Sequence, residues 1–161
     1  MLKMKARSAI GFMSSIAICL GVNFAIAPQA SAVTFETDYA VKTSANPNYT
    51  SSGWWYQGAA GVGGNEMSAF QSYGDVWWLL DGLADGKSVA VKWWNMRNGK
   101  LIRQGVCINN HGSPSWAKCN KDFAEDSTLE AETCLYESST KAYSKCNGQG
   151  FPFRVSDASN A

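Results

Sequence analysis

The sequence predicts an all-β domain: a small antiparallel β-sandwich, or short barrel, of about eight strands with two disulfides. Three observations lead there. Apolar and polar residues alternate over Ser88 to Trp94 and Leu129 to Tyr136. Gly, Ser and Asn recur every eight to fifteen residues, with no long stretch of helical apolar period between them. Four cysteines fall into two pairs that each enclose eleven residues.

The chain begins with a segment expected to be removed. Lys3, Lys5 and Arg7 precede an apolar run from Ala9 to Ala27, Pro28 ends the run, and Ala30-Ser31-Ala32 supplies small residues for a signal peptidase. This is the layout of a secretory signal peptide, residues 1–32, cleaved after Ala32, with a β-sandwich domain over residues 33–161. Ile18 before Cys19, and apolar residues after it, do not suit lipid anchoring, and the absence of an arginine pair does not suit twin-arginine export. Of the 161 residues, 14 are Lys or Arg and 13 Asp or Glu; removing residues 1–32 takes three basic residues and no acid, leaving 129 residues with 11 basic against 13 acidic. Such a balance does not provide the clustered positive field of a nucleic-acid binder, nor of a polybasic membrane-surface protein.

The strands follow in order. Val33 to Val41 and Val76 to Leu80 are expected first. Ser88 to Trp94 then alternates Val89, Val91 and Trp93 against Ala90, Lys92 and Trp94. Asn98-Gly99 turns the chain back into Leu101 to Cys107, because both residues tolerate the positive φ of a tight hairpin turn. Trp116 to Phe123 comes next. In Leu129 to Tyr136 the alternation sets Leu129, Ala131, Thr133 and Leu135 on the core and Cys134 on the wetter face with Glu130 and Glu132. Phe151 to Val155 is expected at an edge or strand end because of Pro152. Gly58 to Gly64 reads as a flexible turn, since it lacks the Lys-Ser/Thr of a phosphate loop.

An even number of cysteines in an exported chain reads as disulfides. Cys107-Ile108 … Lys118-Cys119-Asn120 and Cys134-Leu135 … Lys145-Cys146-Asn147 look like two related strand-loop-strand units. The local pairing, Cys107–Cys119 and Cys134–Cys146, is favoured, each bond joining two antiparallel strands across a loop. Zinc is disfavoured, because these spacings lack the short C-x2-C step of zinc ribbons.

Catalytic signals are sparse. His111, the single imidazole, sits in a loop with Ser113 and Ser115 but with no strand-turn-helix setting to present a nucleophile. Asp81-Gly82-Leu83-Ala84-Asp85-Gly86-Lys87 lacks the alternating ligands and terminal Glu of an EF-hand, and is read as a β-turn between Val76–Leu80 and Ser88–Trp94. Glu130 and Glu132 share a strand face, but outer-face carboxylates need no catalytic role. No enzyme activity, metal or cofactor is expected.

The tryptophans are the informative feature. Trp54-Trp55, Trp77-Trp78 and Trp93-Trp94 are adjacent pairs, with Trp116 alone. On a strand, neighbours point to opposite faces, so each pair sends one indole inward and one outward. Three outward indoles on one sheet would form a platform for sugar rings. All seven are therefore candidate binding residues, the competing reading being that a second sheet or a loop covers them.

The stretch Ala84-Asp85-Gly86-Lys87-Ser88-Val89-Ala90-Val91, with Arg103, Gly105 and Cys107, then Lys118-Cys119-Asn120, Glu125 and a later Cys pair, resembles small secreted proteins abundant in actinobacteria. The resemblance runs roughly from Val76 to Ser156. It implies a disulfide-containing β-sandwich and export, and brings no catalytic residues. Two functions are expected from the whole: a secreted, non-enzymatic protein binding polysaccharide or cell-envelope surfaces through exposed Trp; or a secreted protease inhibitor or toxin-like effector acting by protein contact, with the loop Asn109 to Ser115 as its display.

Overall fold

The computed structural model describes residues 32–161. The expected signal peptide, apart from Ala32, lies outside them. Eleven strands form two stacked sheets with no helix among the described residues. The strands are β1 (Phe35–Tyr39), β2 (Val41–Thr43), β3 (Trp54–Gly58), β4 (Glu66–Gln71), β5 (Val76–Asp81), β6 (Ser88–Arg97), β7 (Lys100–Asn109), β8 (Ser115–Asn120), β9 (Thr128–Glu137), β10 (Ala142–Ser144) and β11 (Phe153–Arg154). One sheet has six strands, in the order β1-β7-β6-β9-β10 with β11 also paired to β9; the other has five, in the order β2-β8-β5-β4-β3. All pairs are antiparallel except β1 with β7.

The expected strands are present, with informative differences. The segment read as one strand from Val33 to Val41 is two. The chain leaves the six-stranded sheet at Ala40 and enters the five-stranded one as β2, so a single extended segment forms an edge of both. The Asn98-Gly99 hairpin holds, with φ of 51° and 69° at the two turn residues. The segment Asp81 to Lys87, expected as a turn between neighbouring strands, instead carries the chain from β5 in one sheet to β6 in the other.

Between the sheets lies an aromatic core. Phe70 and Trp77 pack with centroids 5.0 Å apart, and Phe153 from the C-terminal β11 stacks on Trp55 at 4.9 Å. Trp93 meets Phe123 edge-on at 5.1 Å. Trp93 fits because Gly105 lies beneath it: a Cβ there would come within 2.7 Å of the indole and 2.5 Å of the Glu36 carbonyl. Inner-edge charges are paired, Glu36 with Arg103 and Lys121, and Asp38 with Lys121. The Lys121 ammonium also sits 4.9 Å over the Trp93 ring.

Both local disulfides form, the mark of an oxidising environment. The two Cys units are nonetheless not equivalent. Cys107 on β7 and Cys119 on β8 belong to different sheets, so this bond staples the sandwich rather than a hairpin. Cys134–Cys146 ties β9 to the end of the returning β10 segment. Cys134 does share the outer face with Glu130 and Glu132, but it is buried, not wet: that face carries its own small cluster of Ala90, Val106, Ile108 and Tyr136, with Tyr143 packed on it.

Two outcomes test this packing. Phe153→Ala, which empties a fully buried ring site, is expected to cost about 3–5 kcal/mol in denaturant unfolding, whereas Tyr73→Ala, at an 88% exposed side chain, changes stability by roughly 0.5 kcal/mol or less. Graded reduction with alkylation and peptide mapping should label Cys134 and Cys146 before Cys107 and Cys119, because Cys146 is partly exposed while the inter-sheet pair is buried.

Candidate functional site

Strand alternation divides the tryptophan pairs as expected. Trp55, Trp77 and Trp93 point into the core, with Trp77 and Trp93 fully buried. These three leave the set of candidate binding residues: they are packing. Their neighbours Trp54 and Trp78 face outward from the five-stranded sheet, where β4–β5 pairing and the 6.1 Å Trp54–Trp78 separation set them side by side. Trp116 on β8 lies on the same face, one strand from Trp78 and opposite Leu80. Trp94 is outward too, but on the other sheet, between Gln104 and Glu130.

The aromatic face of the five-stranded sheet is larger than the indoles alone. Tyr56 on β3 is 54% exposed. The connection from β2 to β3 joins the two opposite edges of the sheet, and it runs across this outer face. Its Tyr49 ring lies 5.4 Å from Tyr56 and 6.1 Å from Trp116, so the face is partly roofed by its own chain and partly extended by it. Trp78 is almost covered and acts as the floor: its indole N–H donates to Gln71 Oε1 at 3.1 Å and the Lys118 ammonium sits 5.5 Å from its ring. The accessible aromatic surface is Tyr49, Trp54, Tyr56 and Trp116, and the strand residues of this face include Lys118 but no carboxylate. The tyrosines were not legible as site residues, since neither sits in a Trp pair and only the chain path brings Tyr49 over the sheet.

A second feature lies at one end of the sandwich. An open cleft of about 490 Å³ runs between the β5–β6, β7–β8 and β9–β10 loops, lined by Leu83, Lys87, Asn110, Ser113 and Ser138 among others. His111 does not line it. Its ring Nε2 hydrogen-bonds the Ala40 carbonyl at 2.7 Å, which ties the β7–β8 loop to the crossing between β1 and β2. Glu132 is held by Lys92 at 3.1 Å. Glu132, Cys134 and Cys146 converge, but both sulfurs are committed to the disulfide.

Two carboxylates meet at this end: Asp81, weighed from the sequence only within its own loop, and Glu66, which the sequence did not single out. Glu66 opens β4 and Asp81 closes β5; they are direct cross-strand partners facing inward, and each is 1% exposed. Burial pushes Glu66 up to about 7, and the nearby Asp81 and Asp85 charges add to it while the Leu83 N–H, 2.7 Å from Oε1, opposes it. Burial likewise pushes Asp81 up to about 6, again with Asp85 adding.

Comparison with known protein families, with curated proteins and with solved structures finds no match to this chain. Function is therefore read from the geometry itself.

The raised acids make a pH prediction. In the folded state Glu66 and Asp81 bind protons more tightly than in the unfolded chain, so folding is favoured below the ordinary carboxylate range and loses that advantage as pH rises towards 7. Asp75, also raised by burial, adds in the same direction. In chelator-treated buffer, stability is expected to fall by on the order of 2–3 kcal/mol between pH 5 and pH 8, and Glu66→Gln should flatten that slope. Thermal melts across this range read it directly.

Proposed function

We propose that the protein is an exported, non-enzymatic binding protein that holds polysaccharide or cell-envelope polymer against the outer face of its five-stranded sheet. The carrying observation is the cluster of Tyr49, Trp54, Tyr56 and Trp116 on one rigid surface, floored by Trp78. Flat aromatic rings present apolar area to the apolar faces of sugars, and Tyr and Trp lose few rotamers when they bind. Three of the rings, Trp54, Tyr56 and Trp116, stand on strands anchored beside the core, which keeps the surface pre-organised. The lack of a strand carboxylate and the presence of Lys118 suit neutral or acidic glycans. The disulfides, the N-terminal basic-apolar-small sequence and the balanced charge support export.

A second reading has its own observation. The β7–β8 loop is clamped at three points: Asn109 Nδ2 donates to the Leu79 and Ser115 carbonyls, the His111 amide donates to Asn109 Oδ1, and the His111 ring reaches Ala40. A loop held so firmly suits display to a protein partner, as in a protease inhibitor or effector. A panel of proteases and a growth-inhibition assay on neighbouring cells address it.

Retention on insoluble glycans, followed by intrinsic Trp fluorescence, tests the first reading. Tyr56→Ala with Trp54→Ala is expected to reduce retention about tenfold or more, each ring contributing roughly 0.5–1.5 kcal/mol beyond its buried area, while Trp94→Ala on the opposite sheet leaves it unchanged. No retention and no spectral change across neutral, acidic and aminated glycans would sink the proposal.

A further inference from the structure

We propose that Glu66 and Asp81 form a calcium site beneath the loop end of the sandwich, separate from the aromatic face. The two carboxylates stand opposite each other on β4 and β5 with their side chains inside the protein. Each of the other inward acids has a donor of its own. Glu36 has Arg103 and Lys121, Asp38 has Lys121, and Asp75 receives the Phe123 amide at 2.9 Å. Among the described residues, no Lys, Arg or His lies within ion-pair distance of Glu66 or Asp81. Glu66 Oε1 is capped by the Leu83 amide, but both Asp81 oxygens are buried with no donor at all. A buried carboxylate that the chain neither pairs nor hydrogen-bonds stays ionised only with a cation beside it.

The surrounding atoms select the kind of partner. All candidate donors are hard oxygens, with no thiolate or imidazole among them, which suits calcium or magnesium and not zinc or copper. The Asn65 carbonyl presses so close to Gly82 that a Cβ at position 82 would lie 2.5 Å from it, which brings a neutral backbone oxygen to the same end. Carboxylates combined with a backbone carbonyl favour calcium, which accepts variable geometry, over magnesium, which demands a near-ideal octahedron. The pair lies just behind the open cleft, since Leu83, whose amide holds Glu66, lines it. The segment Asp81 to Lys87 looked unlike a calcium loop because its ligands were sought within it; the partner of Asp81 comes from another strand.

Calorimetric titration of the chelator-treated protein with calcium chloride tests the assignment, alongside thermal melts with and without the ion. One calcium per chain is expected, with a dissociation constant of about 10⁻⁵–10⁻³ M, and a melting temperature that rises with calcium and falls again with chelator. Asp81→Asn and Glu66→Gln should each weaken binding about tenfold or more; because both remove a buried charge without changing shape, they should keep a cooperative melt. Manganese added to the wild-type protein gives a readout independent of the variants: broadening strongest at the amides of residues 65–67 and 81–83 and fading with distance from them supports the site, and broadening centred elsewhere overturns it. No heat and no melting shift up to about 10 mM calcium, an equal response to magnesium, or unchanged affinity in both variants would each overturn the proposal.

Discussion

The gap between two packed sheets is about 10 Å, and in this molecule indoles fill it. Trp77 and Trp93 have no exposed surface, and what surrounds them is set by their size. Trp93 lies over Gly105, where any side chain would collide with the indole and with the Glu36 carbonyl, and across from Ala131 on β9. Trp77 is flanked by Phe70 across the β4–β5 pair and approached edge-on by Trp55 from β3. Both ends of the domain lock onto this layer. Phe153 of β11 closes over Trp55, while Lys121 and Arg103, both over the Trp93 ring, reach the acids of β1. Ordering the inner indoles therefore orders the strands that carry the outer ones.

That coupling links packing to the proposed activity. Because Trp54 and Trp78 are sequence neighbours of Trp55 and Trp77, the inner partner anchors the backbone on which the outer partner stands. The outer face thus needs little rearrangement to present its rings. Tyr49 differs, since it is carried by a connection that crosses the sheet, and its contacts with Tyr56 and Trp116 hold that connection down. The acid pair occupies the opposite kind of environment, an interior where two carboxyl groups meet with no local counter-charge, which is what burial makes costly to ionise.

Much of this was legible in the residues. The period-two pattern around Trp93-Trp94 and Leu129 to Tyr136, the Asn98-Gly99 turn and the local disulfides all rest on short-range chemistry, and the structure has them. What escaped depends on which strands become neighbours. β4 is buried on both faces, and its alternation Glu66-Met67-Ser68-Ala69 turns the polar residues inward, so the pattern does not announce its place. Ala40 gives no sign that the chain changes sheets there. Equal Cys spacing could not reveal that one bond crosses the sandwich and the other does not. The Glu66–Asp81 juxtaposition exists only through the β4–β5 register, fifteen residues apart in sequence with a tight turn between.

The path of the first segment has a consequence for the edges of both sheets. β1 and β2 are one continuous stretch that seals β7 in one sheet and β8 in the other, and until it docks both strands are open edges able to pair with another chain. The Cys107–Cys119 bond joins those same two strands. The bond holds the β7 and β8 edges at a fixed separation, which matches the span that the continuous β1–β2 stretch bridges between them. One stretch of nine residues, Phe35 to Thr43, thus closes an edge of each sheet, and the disulfide ties together the two strands whose edges it closes.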